Sequence, residues 1–407
     1  MKERRRWWGL FVVPVLVLVL LAGTFGCSSA PPEGTEIRIG ITGGQTGPAP
    51  ADVVALIEQL EHLFSYINEV EGGIDGVPIK WRIIDNKGTP EGAIGAYKEL
   101  RDSFDPLIYF AVEDYYLLAA MADIVADEAV IITASAIQSA GFVPPGRFFG
   151  LPIPMSDGFA GYVKWVLANH EGSGMPKIGV LYWEDVPTGQ LWRTAEPWVR
   201  KQGVEIEMVG YSIAALDLTP QLMLLRDAEV DYIWMMGLTH NAAAAIGAYH
   251  GLGLTGQIPL AFNEYVVADQ LLEMVGQGAQ GFNIYRSEVP YSDGSAAADL
   301  YTEIMEWAGE PEGTWSDNRL VMTFKSVLTA AVEKAVADVG WDDLDSAAIY
   351  DALNSLTVID TDGNAVGFGY GPDRRVGVSK IRIARFTADG TVSVSDPIEL
   401  PRTFEGI

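Results

Sequence analysis

The chain has 407 residues, 49% of them hydrophobic, with 27 basic against 54 acidic side chains, one cysteine and four histidines. At about 100 to 200 residues per domain this length gives two domains, or three at most, each able to bury a core, so a disordered chain is excluded. A net charge of -27 repels nucleic-acid phosphates, whose capture depends on Lys and Arg displacing counterions, and a single cysteine can make neither an intramolecular disulfide nor a thiolate metal cluster.

In chain order, residues 2–6 read Lys-Glu-Arg-Arg-Arg, Trp7 to Gly26 is apolar and uncharged, and Cys27 follows directly. A basic start, an apolar run and then small residues are the layout of an export signal. With the cysteine placed after Gly26, the segment resembles a bacterial lipoprotein signal. That resemblance implies cleavage before Cys27, lipid attachment to its sulfur, and a tether over residues 27–35. The alternative is an uncleaved anchor, since the 20 residues from Trp7 to Gly26 are enough to cross a bilayer. Either way the body is expected outside the cytoplasm. Removal of residues 1–26 leaves 23 basic and 53 acidic groups, so the exported part is the more acidic.

From Glu36 onward short apolar runs alternate with longer segments of helical period, the pattern of an α/β fold with parallel strands. Strands are predicted at Ile37 to Ile41, Ile79 to Asp85, Pro106 to Ala111, Ala129 to Thr133, Arg147 to Gly150, Lys177 to Tyr182, Glu205 to Tyr211, Tyr232 to Met236, Pro259 to Ala261 and Gly281 to Tyr285. Helices are predicted over Asp52 to Glu69, where Val53, Leu56, Leu60, Leu63 and Ile67 recur near period 3.6, and over Pro90 to Ser103, which Thr89 can cap. Others cover Leu117 to Asp127, Ser156 to Asn169, Gln190 to Gln202, Pro220 to Ala228, Ala242 to Gly251, Ala296 to Gly309, Asn318 to Val339 and Ser346 to Ser355. After Leu356 the character changes: a loop over Gly367 to Pro372 precedes antiparallel strands at Val376 to Phe386 and Ala388 to Val394, joined at Asp389-Gly390. No second uncharged apolar stretch of membrane length follows the leader. The order of elements predicts two α/β lobes in tandem, with ligand loops at the carboxyl ends of the strands and a cleft between them.

The sequence Gly251-Leu252-Gly253-Leu254-Thr255-Gly256 matches G-x-G-x-x-G letter for letter. It ends a predicted helix and precedes a strand, the reverse of a dinucleotide site, and reads as a helix stop and turn. His62, His170, His240 and His250 lack metal spacing, and no nucleophile context surrounds His240, so neither metal chemistry nor hydrolysis is expected.

Five stretches in order carry a resemblance over nearly the whole exported chain. They are Ile39-Gly40-Ile41-Thr42-Gly43-Gly44-Gln45-Thr46-Gly47-Pro48, the turn Gly72-Gly73-Ile74-Asp75-Gly76, Ile84-Asp85-Asn86, Val130-Ile131-Ile132-Thr133-Ala134-Ser135, and Lys177-Ile178-Gly179-Val180-Leu181-Tyr182. The chain resembles the type 1 periplasmic binding proteins of the Leu/Ile/Val class, the extracytoplasmic solute receptors of ABC importers. The resemblance implies two Rossmann-like lobes with parallel sheets, a three-crossover hinge that closes on ligand, and no catalysis or cofactor. It implies an N-terminal lobe from 36–155 and 287–370, a C-terminal lobe from 156–286 and 371–407, and a monomer that docks on permease subunits. The alternative is an extracytoplasmic sensor using the same closure to signal to a membrane partner.

The loop residues Thr42, Gln45 and Thr46 can hold an anion through hydroxyls and glycine-opened amides. Thr133, Ala134 and Ser135 match the family's second carboxylate-binding segment. The loop Val112-Glu113-Asp114-Tyr115-Tyr116 departs from the family, because two acids there repel a ligand carboxylate by roughly 1 to 4 kcal/mol at a 4 Å separation. Tyr115 can still form an aromatic wall. In the second lobe Trp183, Thr188, Thr239, His240 and Glu264 follow strand ends, and Glu264 matches the family's ammonium-binding acid. Trp183 can stack on a ligand or fill a core. The expected ligand is an amino acid, an amide or a urea-like solute.

Overall fold

The computed structural model describes residues 30–46, 50–112, 124–125, 128–134, 142–287, 295–311, 320–387 and 392–403. The first lobe is built on the parallel sheet β2-β1-β3-β4-β5, made of β1 (Ile37–Gly43), β2 (Ile79–Asp85), β3 (Ile108–Ala111), β4 (Ile131–Thr133) and β5 (Phe148–Gly150). Its central strands are largely apolar and buried, as strands covered on both faces must be, with Thr42 and Thr133 at their carboxyl ends.

Helix α1 (Pro50–Tyr66) buries Val53, Leu56, Leu60 and Leu63, the stripe its period predicts, and ends in a π turn over Ile67–Glu71. The following turn requires glycine at position 73, where φ is +91° and a Cβ would lie 2.3 Å from the carbonyl oxygen of Val77. Helix α2 (Pro90–Phe104) starts as predicted: the Thr89 hydroxyl accepts the Gly92 amide at 3.1 Å, with Pro90 at the first helical position. The predicted helix Leu117 to Asp127 falls almost wholly outside the described residues.

The second lobe is built on the sheet β12-β11-β10-β9-β8-β6-β7, with β13 also pairing with β11. The parallel part comprises β6 (Lys177–Trp183), β7 (Glu205–Tyr211), β8 (Tyr232–Met235), β9 (Leu260–Phe262) and β10 (Asn283–Arg286). The expected antiparallel return is formed by β11 (Lys380–Phe386), β12 (Val392–Val394) and β13 (Ile398–Glu399). Helix α3 (Met155–Asn169) covers one face, where Phe159 sits 5.3 Å from the ring of Trp192 and 4.8 Å from that of Trp234. The predicted helix Gln190 to Gln202 divides into a 3-10 segment, Pro187–Ala195, and a short α4 (Glu196–Lys201). The cause is Pro197, which lacks an amide hydrogen and fits only the first turn of a new helix.

Helices α5 (Thr219–Asp227), α6 (Thr239–Gly251) and α7 (Ala268–Val275) complete this lobe. The sequence reading places no helix between Ala261 and Gly281, so α7 is an addition. The G-x-G-x-x-G match does close α6: the Gly253 amide bonds to the His250 carbonyl at 3.0 Å and that of Leu254 to Tyr249 at 3.1 Å, with Gly253 and Gly256 at positive φ.

Helices α8 (Ala296–Ala308), α9 (Leu320–Val339) and α10 (Ser346–Ser355) return to the first lobe. Phe324 of α9 sits 4.3 Å from Phe110 of β3, and Tyr66 of α1 donates to Glu303 of α8 at 2.6 Å. The segment from Gly371 then crosses back. Val376 bridges Gly150 at the edge of the first sheet, whereas Lys380 onward pairs in the second, so one predicted strand serves both lobes. Arg375, 3% exposed, fastens the crossing by donating to the carbonyls of Gly146 and Gly371 and to the Tyr350 hydroxyl, its guanidinium 4.9 Å from the Phe149 ring. Among the described residues no helix is long and apolar enough to span a membrane.

Candidate functional site between the lobes

Two crossings leave their sheets from carboxyl ends, β5 through residues 151–154 into α3 and β10 through Ser287 towards α8. The carboxyl ends of both sheets therefore face the junction. Loops that follow β1, β4, β6, β8 and β9 gather there, the position that open α/β sheets give to ligands.

In the first lobe the loop after β1 is folded by a carboxylate. Asp85, at the end of β2, accepts the Thr46 hydroxyl at 2.6 Å, the Thr46 amide at 3.4 Å and the Lys87 amide at 2.9 Å. Burial pushes its pKa up, but hydrogen bonds from the Thr46 hydroxyl and from the Lys87, Thr46 and Gln45 amides outweigh this and hold it below the usual carboxylate value. The Thr46 side chain is thus committed to the loop, with Gln45 half-buried beside it. Thr42 is 7% exposed and its carbonyl accepts the Val112 amide at 2.8 Å. Thr133 is buried at the end of β4, and the Ala134 amide extends the β3–β4 pairing by bonding to Ala111 at 3.0 Å. Glu113, Tyr115 and Ser135 lie outside the described residues, as does Cys27.

In the second lobe Asn241, fully buried in the first turn of α6, joins three loops. Its Oδ1 accepts the Trp183 indole at 3.3 Å and the Leu238 amide at 3.2 Å, while its Nδ2 donates to the carbonyls of Ile213 at 2.9 Å and Ala215 at 3.3 Å. Trp183 is therefore 3% exposed and lies under the loop, on the core side of the two readings its sequence leaves open. His240 Nε2 meets the same Ile213 carbonyl at 3.0 Å. Thr239 accepts the Val267 amide at 3.1 Å, and Asn263 accepts the Gly237 amide at 2.8 Å, so the loops after β8 and β9 are tied together. Thr188 is half-buried in the 3-10 segment. Asp185 accepts the Ser212 hydroxyl at 2.5 Å and the Ile213 amide at 3.0 Å, and these bonds lower its pKa, the hydroxyl first. Glu264 is half-buried after β9, close enough to Tyr285 that its carboxylate adds to the effect of burial in raising the phenol pKa.

Asp85, Asn241 and Asn263 are the residues that shape these loops, and none stands among the expected ligand residues. Their signal in the sequence is an Asp or Asn close behind an apolar strand, where a short polar side chain can bond to nearby backbone.

Two α/β lobes with their loop ends facing a shared junction define a class of two-lobed proteins. The chain belongs to the periplasmic binding protein family, whose model matches residues 36–391. Among solved structures, a branched chain amino acid ABC transporter from Thermus thermophilus with bound valine is similar at a TM-score of 0.78 and 16% identity, over 91% of this chain and 98% of that one. An ABC transporter substrate binding protein from Aeropyrum pernix has a TM-score of 0.74 and 19% identity, over 91% and 99%. A fatty acid ABC transporter substrate-binding protein from Thermomonospora curvata has 0.71 and 18%, over 93% and 97%. At these identities the likeness is one of fold. A search of curated protein sequences gave no match.

Proposed function

We propose that the chain is an extracytoplasmic solute-binding protein of an ABC importer, which captures a small polar solute between its lobes and delivers it to the permease. The observation that supports this most is the convergence of both sheets' carboxyl ends on the junction, each lined by loops already fixed by internal hydrogen bonds. Prefolded loops lose little entropy when ligand arrives, which favours binding over flexible surfaces of equal area. The family and its structural neighbours point the same way, being binding proteins and not catalysts.

In this reading the first lobe offers Thr42, the Gln45 side chain and the Thr133–Ser135 segment to a carboxylate or amide, and Glu264 of the second meets an amine through a charge-assisted hydrogen bond. The two lobe assignments, 36–155 with 287–370 and 156–286 with 371–407, then describe the bodies that close on one another, except that residues 371–377 stay with the edge of the first sheet. Cys27 attaches the whole to the outer face of the membrane through lipid. An amino acid leads as ligand; amides and urea-like solutes follow, because Glu113 and Asp114 burden the first lobe with negative charge. Native mass spectrometry of the purified chain tests the proposal: a small solute, lost on unfolding, is expected at one per chain. Turnover of such solutes by the pure protein is the contrary result.

A further inference from the structure

The chain crosses between lobes three times, and its C-terminal segment reaches across once more without a covalent link. After β13, the Leu400 amide bonds to the Ser379 carbonyl at 2.9 Å and the Lys164 ammonium to the Glu399 carbonyl at 2.6 Å, which lays residues 399–400 along α3. Gly161 of α3 lets them lie this close, since a Cβ there would come within 2.8 Å of Leu400 and 2.6 Å of Ile381. The segment then ends in a grip: Asp157 Oδ1 accepts both the amide and the hydroxyl of Thr403, at 2.5 and 2.7 Å. Both residues are buried, at 3% and 1% exposure. Between them Arg402 turns the other way and donates to the Asp373 carbonyl at 2.6 Å.

The neighbouring residues Arg402 and Thr403 touch different bodies. Asp157 stands in the first turn of α3, immediately after the first crossing, in the second lobe. Asp373 belongs to the Gly371–Arg374 turn, which Arg375 fastens to the edge of the first sheet at Gly146. A carboxylate buried merely to hold a chain end would cost more in desolvation than an apolar contact of the same size. Its use here fixes the direction and register of residues 400–403, through donors that only one backbone position can supply.

We propose that residues 400–403 are a strap over the hinge, with Asp157 and Arg402 as positioning residues that set the resting separation of the lobes. The strap resists opening, because moving α3 away from the 371–374 turn must break either the Asp157 grip or the Arg402 bond. It rests on the receptor reading only for what lobe separation means in solute capture, and it can be tested without any ligand.

The test is the distance distribution between spin labels on exposed positions of the two lobes, Glu306→Cys on α8 and Lys201→Cys on α4, in the full chain in detergent with Cys27→Ser. Against this parent, Asp157→Ala, Arg402→Ala and a stop after Leu400 are each expected to widen the distribution. The population beyond the parent's range should rise roughly tenfold, the order that loss of one charge-assisted hydrogen bond gives. Thr403→Ser, which keeps both donors, should reproduce the parent. If Asp157→Ala does not fold, Arg402→Ala decides, since its side chain is exposed. Variants with a lowered melting temperature but an unchanged distribution would overturn the strap and leave a plain stabilising contact. Because no solute is added, that outcome is separate from a failure to find a ligand.

Discussion

Asp85 and Asn241 show how single side chains preset the loops at the junction. Because the folded pKa of Asp85 lies below its usual value, near 3.9, its bonds contribute stability that is fully present above about pH 4 and is lost as pH falls through the folded value. Asp85→Asn should therefore cost about 1 kcal/mol at neutral pH and progressively less as the pH falls below about 4, which melting curves of both proteins from neutral pH downwards would reveal. A parallel loss at every pH would remove the carboxylate from the account. Asn241→Ala strands the Leu238 amide and the Ala215 carbonyl in a buried place and removes one partner each from the Trp183 indole and the Ile213 carbonyl, and should cost about 2 to 4 kcal/mol in urea unfolding. Residues of this kind were hidden in the sequence, because an isolated asparagine carries no periodicity and three of its four partners, Trp183, Ile213 and Ala215, lie 26 or more positions away in the chain. The loops themselves were legible, since each follows an apolar run.

At the scale of elements, apolar pattern located every strand of the two parallel arrays, and the differences have local causes. Predicted strands were longest where flanking residues pair only through single contacts, as at Val376, which bridges Gly150 while the ladder starts at Lys380. Pro197 split one helix, and the eight residues of α7 were too few to establish a helical period between two strands. The face between α3 and its sheet offers a sharp test of packing. Phe159 is fully buried against Trp192 and Trp234, so Phe159→Ala should cost about 3 to 5 kcal/mol through lost transfer energy and the cavity left behind. Denaturant titration would check it, and a loss under about 1 kcal/mol would mean that the face repacks.

For the whole molecule, the acidity read from composition belongs to a body of two lobes, and the family match covers both. Two separate sheets joined by crossings form a hinge, and a ligand that bridges the lobes favours the closed arrangement by its added contacts. The central claim is that a small solute does so here. The most direct measurement is the melting temperature of the purified chain across a panel of amino acids, amides and urea-like solutes. One solute class should raise it, with a stabilisation following RT ln(1 + [L]/Kd), about 2.7 kcal/mol at a hundredfold excess over Kd. A panel in which no solute shifts the transition, while the protein converts one of them to product, would contradict the account.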